Sequence, residues 1–242
     1  MGLSQRATVL EQDIHQISST QQGALGMCAE TKDGRQFRYG LAGASNLAVG
    51  KLAQQAAVVT THQNVVVSGN AGDLTAIVTL GATNAATVDQ YKDGYLSGLS
   101  GTGAGQTVRI RTHGAIAAST AGTLQLAEPL TTTFASTPKA SLTLNQFSGA
   151  IISSTADTTD QVVGVPIITV TAAFYGWFQT RGLAAVLGNG TITKGAGLIK
   201  SATTAGAVDI EATGTITTRV GVCYDTAGAS TSYITAILNI VI

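Results

Sequence analysis

From residue 25 onward the chain is a succession of short runs in which Thr alternates with Val, Ile or Leu, as in TVRIRT at 107–112 and ASLTLN at 140–145. A period of two sends neighbouring side chains to opposite faces of a strand, so one face is apolar and the other is polar and β-branched. Such a segment fits a half-buried sheet and does not fit a helix. The same reading covers Gln63–Ser68, Leu74–Leu80, Thr107–Thr112, Thr123–Leu126 and Lys139–Leu144. Clusters of Gly, Ala, Ser and Asn separate the runs at intervals of roughly 10–15 residues, the rhythm of an all-β sandwich or barrel. Asp33-Gly34 suits a tight turn because Gly tolerates positive φ, and after it Arg35, Phe37 and Tyr39 share one strand face. One short helix is expected within residues 82–95, started by Thr87 and stopped before Asp93-Gly94.

The predicted fold is therefore all-β, built of barrel- or sandwich-like modules behind an N-terminal arm that is extended or briefly helical. The arm, residues 1–24, is polar and Gln-rich, yet Leu10, Ile14 and Ile17 recur at i, i+4 and i+7, the spacing of one helical face. An isolated helix this short is marginal in water, so the arm either orders against a neighbouring molecule or frays. Residues 25–62 plus 149–242 are expected to form one β-domain, with 63–148 a second β-module set into it. Val163-Gly164-Val165 and Val220-Gly221-Val222 are each followed by an aromatic-bearing apolar strand, which marks them as related strand pairs of one sheet system. The last of these strands is expected to run to Ile242.

Chemistry is thinly supplied. His15, His62 and His113 lie in separate segments without a His or Cys at metal-ligand spacing. Gly101, Gly103 and Gly105 alternate rather than follow the dinucleotide-loop pattern, and a β-like run follows them; they are expected to form a flexible hairpin connection. Around Gly50-Lys51, Ser45 and Leu52 occupy positions where a phosphate loop needs Gly and Ser or Thr. Asp157 and Asp160 match no calcium-loop spacing, and Asn189-Gly190-Thr191, formally a glycosylation acceptor, reads as a turn. Cys28 and Cys223, each in a small apolar stretch, read as reduced thiols. No catalytic residue, cofactor or metal is expected.

Charge sets the remaining bounds. Lys and Arg number 13 and Asp and Glu number 13, so no cationic face for nucleic acid is expected. The longest apolar run, Val162–Phe178, is broken by Gly164, Pro166 and Gly176 and is too short to span a bilayer as a helix. With only 11% charged residues, the surface is poorly protected against self-association, which suits a component of an assembly. The stretch FYGWFQTRG, Phe174–Gly182, concentrates aromatics around the single Trp. In a strand, Phe174 and Phe178 share one face while Tyr175 and Trp177 share the other. One face fills the core; the other fills a second core or anchors a neighbouring subunit, since Tyr, Trp and Arg dominate interface hot spots. The contact candidates are thus Leu10, Ile14 and Ile17 on the arm, and Tyr175, Trp177 and Arg181 on the strand.

Together, DGRQFRY at 33–39, QYKDGYLSGLSGTGAGQTVRIRTH at 90–113, LQLAEPL at 124–130 and GVPIITVTAAFYGWFQTRGLAAVL at 164–187 resemble the head decoration, or cement, proteins of tailed bacteriophages. The resemblance runs over most of the chain from about residue 25 and consists of Gly, aromatic and turn positions. It implies a non-enzymatic, many-copy β-protein on the capsid exterior of the virion, with the major capsid protein as partner and self-association, as a trimer, alongside. A tail, collar or head-fibre component is the nearest alternative expectation. A carbohydrate-binding module for host attachment is a second, and would use the aromatics at 174–181.

Overall fold

The computed structural model describes residues 7–8, 10–155, 161–211, 219–225 and 232–241; Asp157 and Asp160 lie outside them. The fold is all-β. Residues ahead of residue 58 supply β1 (Ala7–Thr8), β2 (Cys28–Glu30), β3 (Gln36–Leu41) and β4 (Ala53–Gln54). Next come β5 (Val65–Ser68), β6 (Thr75–Thr79), β7 (Tyr95–Thr102), β8 (Thr107–His113), β9 (Ala121–Leu126) and β10 (Ala135–Thr143). The chain continues with β11 (Ile151–Ile152), β12 (Val162–Pro166), β13 (Tyr175–Leu187), β14 (Gly197–Lys200), β15 (Val208–Ile210), β16 (Arg219–Cys223) and β17 (Tyr233–Asn239). Two compact units result, one from 1–57 with 146–242 and one from 58–145.

The 58–145 unit is a closed six-stranded barrel in the order β10-β5-β6-β9-β8-β7, antiparallel at every pairing. Closure removes the open edges that an alternating Thr/Val sheet would otherwise expose. Burial alternates as the period of two requires: Val65, Val67, Ala76, Val78, Val108 and Ile110 point inward, while Val66, Ile77 and Arg109 point out. Of the glycines expected to form a flexible hairpin connection, Gly103 and Gly105 lie in the turn that joins β7 to β8, while Gly101 lies within β7, which runs through Gly98 to Thr102. A Cβ on Gly98 would stand 2.4 Å from the Gly103 carbonyl oxygen, so this hairpin needs glycine for close approach rather than looseness.

The helix expected after Thr87 does not form. Asp89 (φ 56°) and Asp93 (φ 61°) adopt left-handed backbone, which breaks a right-handed helix, and the segment is a series of turns. Those turns lower Tyr91 into the core between two buried histidines. The Tyr91 hydroxyl donates to His62 Nδ1 at 2.5 Å, because His62 Nε2 faces the Asn84 carbonyl at 3.0 Å and must itself donate. His113 Nε2 accepts the Tyr91 backbone N–H at 3.0 Å, while its Nδ1 donates to the Gly114 carbonyl at 2.7 Å. Every ring nitrogen of both imidazoles is thus used.

Asp89 ties this turn to β8. Burial pushes its carboxyl up, but the Thr112 hydroxyl at 2.5 Å, the His113 backbone N–H at 3.0 Å and the nearby Lys92 charge outweigh that and hold it below the ordinary carboxylate range. A carboxylate depressed in the folded state stabilises above its unfolded pKa, and that contribution is lost as pH falls through the folded value. The barrel is therefore expected to keep its thermal midpoint at neutral pH and to lose it below about pH 4. Asp89→Asn should lower the neutral-pH midpoint and flatten this acid limb; an unchanged limb in melts across pH would show that Asp89 does not contribute to it.

The other unit is an 11-stranded sheet whose main path is β1-β2-β3-β13-β17-β16-β14-β15, with β12 pairing β13 and β4, and β4 pairing β11. The Val163- and Val220-bearing strands do sit in this one sheet system, each antiparallel to the strand that follows it. β17 stops at Asn239. Strand β13 organises the unit. Its first half pairs with β3 and its second half with β17, and a register shift between Gln179 and Arg181 separates them. Both faces of the first half are covered. Phe178 is fully buried with Ala42, Leu47, Phe147, Val163 and Val170, and Phe174 packs partly buried at its side. Trp177 lies on the opposite face with Ile14, Ala29, Phe37 and Tyr39. Beyond the register shift, Ala184 and Val186 join a third cluster under β14–β17.

Candidate interaction surface

The six contact candidates separate into three environments. Ile14 is fully buried and Trp177 is 8% exposed, and both belong to the cluster beneath the N-terminal segment. Of the two readings of this strand face, a second core or an anchor for a neighbouring subunit, the single chain shows the core: the arm lies on its own strand. Residues 13–15 form one turn of 3-10 helix rather than a longer amphipathic one, so only Ile14 of the three spaced apolar residues is driven fully inward. Ile17 packs half-buried against the Phe178 cluster, and Leu10 stays 54% exposed. Tyr175 is half-buried and stacks on Tyr39 with ring centroids 5.8 Å apart, while Tyr39 meets Trp177 edge-on at 5.2 Å. The aromatic stretch is an internal cluster, and Trp177 is not presented as a platform for a sugar ring.

Arg181 alone of the strand candidates stands on an open face, donating from Nη2 to Asn239 Oδ1 at 3.1 Å. Next to it on that face lies a row that the sequence reading missed. Leu183 on β13 is directly opposite Ile237 on β17, which in turn is opposite Val222 on β16. Their exposures are 50%, 45% and 37%, so three aliphatic side chains form a continuous apolar strip across three hydrogen-bonded strands. Ala185 and Thr235 extend the strip by one register step. Around it the groups become polar. Tyr233 donates its hydroxyl to the Val49 carbonyl at 3.1 Å, Lys194 sits 5.9 Å above the Tyr224 ring, and Arg219 pairs with Glu211. An apolar centre inside a rim of aromatic and paired polar groups is how protein interfaces are built.

The chain matches no family model, no curated protein and no solved structure.

What the strip can do follows from its chemistry. It holds no nucleophile, acid or base, and its backbone groups are already used in the sheet ladder. It can adhere by burying aliphatic area, and its lack of charge means adhesion carries little ionic desolvation cost. Among the described residues, no group of three His, Cys, Asp or Glu side chains could hold a metal ion. Cys28 and Cys223 are free thiols, the first half-buried and the second buried. Among the described residues, no helix is long and apolar enough to cross a membrane.

One signal could have located the strip. β17 reads YITAILN, with Ile234, Ala236 and Leu238 inward, yet Tyr233 and Ile237 are also apolar and face outward. Loss of the usual Thr alternation marks a strand with two apolar faces, one for the core and one for something else.

Proposed function

We propose that the chain is a non-enzymatic virion structural protein that binds the outer capsid surface of a tailed phage and bridges neighbouring capsid subunits. The observation that carries this reading is the in-register strip Leu183–Ile237–Val222, uncharged and half-exposed on a rigid sheet. A many-copy protein gains avidity from one modest contact repeated at symmetry-related sites, so a small apolar strip suffices where a solitary binder would need a larger surface. The low overall charge supports the same reading, since a neutral β-surface lies against a shell without displacing ion atmospheres. The resemblance of residues 33–39, 90–113, 124–130 and 164–187 to cement proteins supplies the partner class.

The test is a count. Purified particles of the phage that encodes the chain should carry it in hundreds of copies, by peptide quantification against the major capsid protein, and a reconstruction should place it on the capsid exterior. A handful of copies per particle would move it to the tail, collar or fibre. Its absence from particles would overturn the proposal.

A further inference from the structure

The two regions that the sequence singles out as contact surfaces, the arm and the aromatic strand, are complementary halves of one contact. Residues 10–18 lie as a strap over the face formed by Phe37, Tyr39, Tyr175 and Trp177. Just ahead of the strap β1 pairs in parallel with β2, and the strap itself is held at three points. Ile14 plugs the aromatic cluster, with no exposed surface. Ser18 and Tyr175 exchange both backbone hydrogen bonds, at 3.0 and 2.8 Å. Glu11 accepts two hydrogen bonds from Arg35 Nη2, at 2.7 and 2.6 Å, and Arg35 is held in place by Asp33 at 2.7 Å. This last pair raises the Arg35 pKa, through Glu11 first and then Asp33.

The backbone that carries the socket belongs to the sheet and not to the strap. Phe37, Tyr39, Tyr175 and Trp177 are set by the β3–β13 ladder, whose register runs from Tyr175 opposite Leu41 to Arg181 opposite Gln36. The connector from 19 to 25 has no strand pairing; the Gln22 N–H donates to the Tyr39 hydroxyl at 3.0 Å and Leu25 packs against the Phe178 cluster. Released from these contacts, seven residues extend to about 25 Å. A plug on a tether, a socket built on a paired ladder and a chain with little charge to keep copies apart are the requirements for segment exchange.

We propose that the strap is exchangeable and that self-association of this protein proceeds by seating residues 10–18 of one copy in the aromatic socket of a second copy. The contact joins strap to socket, so each copy both gives and receives, and reciprocal exchange between two copies fills both sockets. The bonds made between copies are those made within one, so exchange costs little beyond the freedom of the connector and the association itself. The inference needs no capsid and stands apart from the function proposed above.

Charge reversal tests it on the full chain. Glu11→Arg in one preparation and Arg35→Glu in another each place like charges at the strap within a single copy. Mixed, and only if straps are exchanged, the two variants restore an opposite-charge pair at both sockets. Light scattering at low salt should show the mixture associating at least about tenfold more tightly than either variant alone, two restored pairs at about 0.7 kcal/mol each giving that factor, and added salt should erase the gain. The Glu11 side chain is exposed, while Arg35 is largely covered and lies over the Phe37 ring, so a melt of each variant establishes that it folds before the mixing is read. A mixture that behaves as the average of its two components overturns the proposal. So does oligomer formation by the unmodified protein with carbodiimide amide cross-links between Glu11 and Lys32, which line one pocket, forming only within single copies, read by mixing isotopically heavy and light chains.

Discussion

Phe178→Ala is expected to cost the 1–57/146–242 unit about 3–5 kcal/mol, a large part of the stability an average domain has. The reason lies in how closely the ring is held. Phe178 is fully buried, and glycines stand where neighbouring strands come nearest to it. A Cβ on Gly40 of β3 would lie 2.3 Å from Phe178 Cε2, and one on Gly164 of β12 would lie 2.7 Å from Phe178 Cβ. Gly164 also has φ +149°, a conformation that resists any side chain. With backbone packed directly on the ring, the surrounding strands cannot collapse into the space that truncation leaves, and the penalty falls toward the upper part of the range. Trp177, the single tryptophan, adjoins this site on the opposite face of β13 and reports it directly. Urea unfolding followed by Trp fluorescence should show the unfolding free energy lowered by that amount, and a loss below about 1 kcal/mol would contradict a ring held between two glycine backbones.

How much of this was legible in advance depends on the range of the interaction concerned. Local alternation placed the strands: TVRIRT became β8, and the split of Phe174 and Phe178 from Tyr175 and Trp177 became two buried faces of β13. The Asp33-Gly34 turn is likewise local, with Gly34 at φ +85° between β2 and β3. The rhythm of runs left sandwich and barrel both open for the second module, and which strands close it was not legible, because β10 must find both β5 and β7 and that pairing leaves no periodic trace. The turns at 87–93 were misread as a helix because a left-handed Asp looks no different in sequence from a helical one. The arm is extended and briefly helical, as expected, but its spacing does not mark one helical face. Its i, i+4, i+7 pattern is a true apolar signal, but the segment satisfies it by sending Ile14 and Ile17 into two different clusters. The strip on β13, β17 and β16 depends on register between three strands, so no single segment contains it.

That strip is where the largest functional effect is expected. Leu183→Glu combined with Ile237→Glu places two carboxylates directly opposite each other on the open face, where the side chains they replace are 50% and 45% exposed. Because both positions already face solvent, the folded chain loses little: like charges across a ladder cost on the order of 1 kcal/mol at the surface. Against an apolar partner surface the cost is far larger, since both charges would have to be desolvated without a counter-ion, several kcal/mol for each. Attachment to particles should therefore fall by at least about a hundredfold while the melting curve moves by only a few degrees. Attachment by the unmodified chain should vary little with salt, because no ion pair is being screened, whereas attachment through Arg181 or Lys194 would weaken steeply as salt rises. The measurement is co-sedimentation of chain with chain-free particles across salt concentrations. Full occupancy by the double variant would show that the strip is not the adhesive face. Steep salt dependence of the unmodified chain would instead place the contact on the charged rim around it.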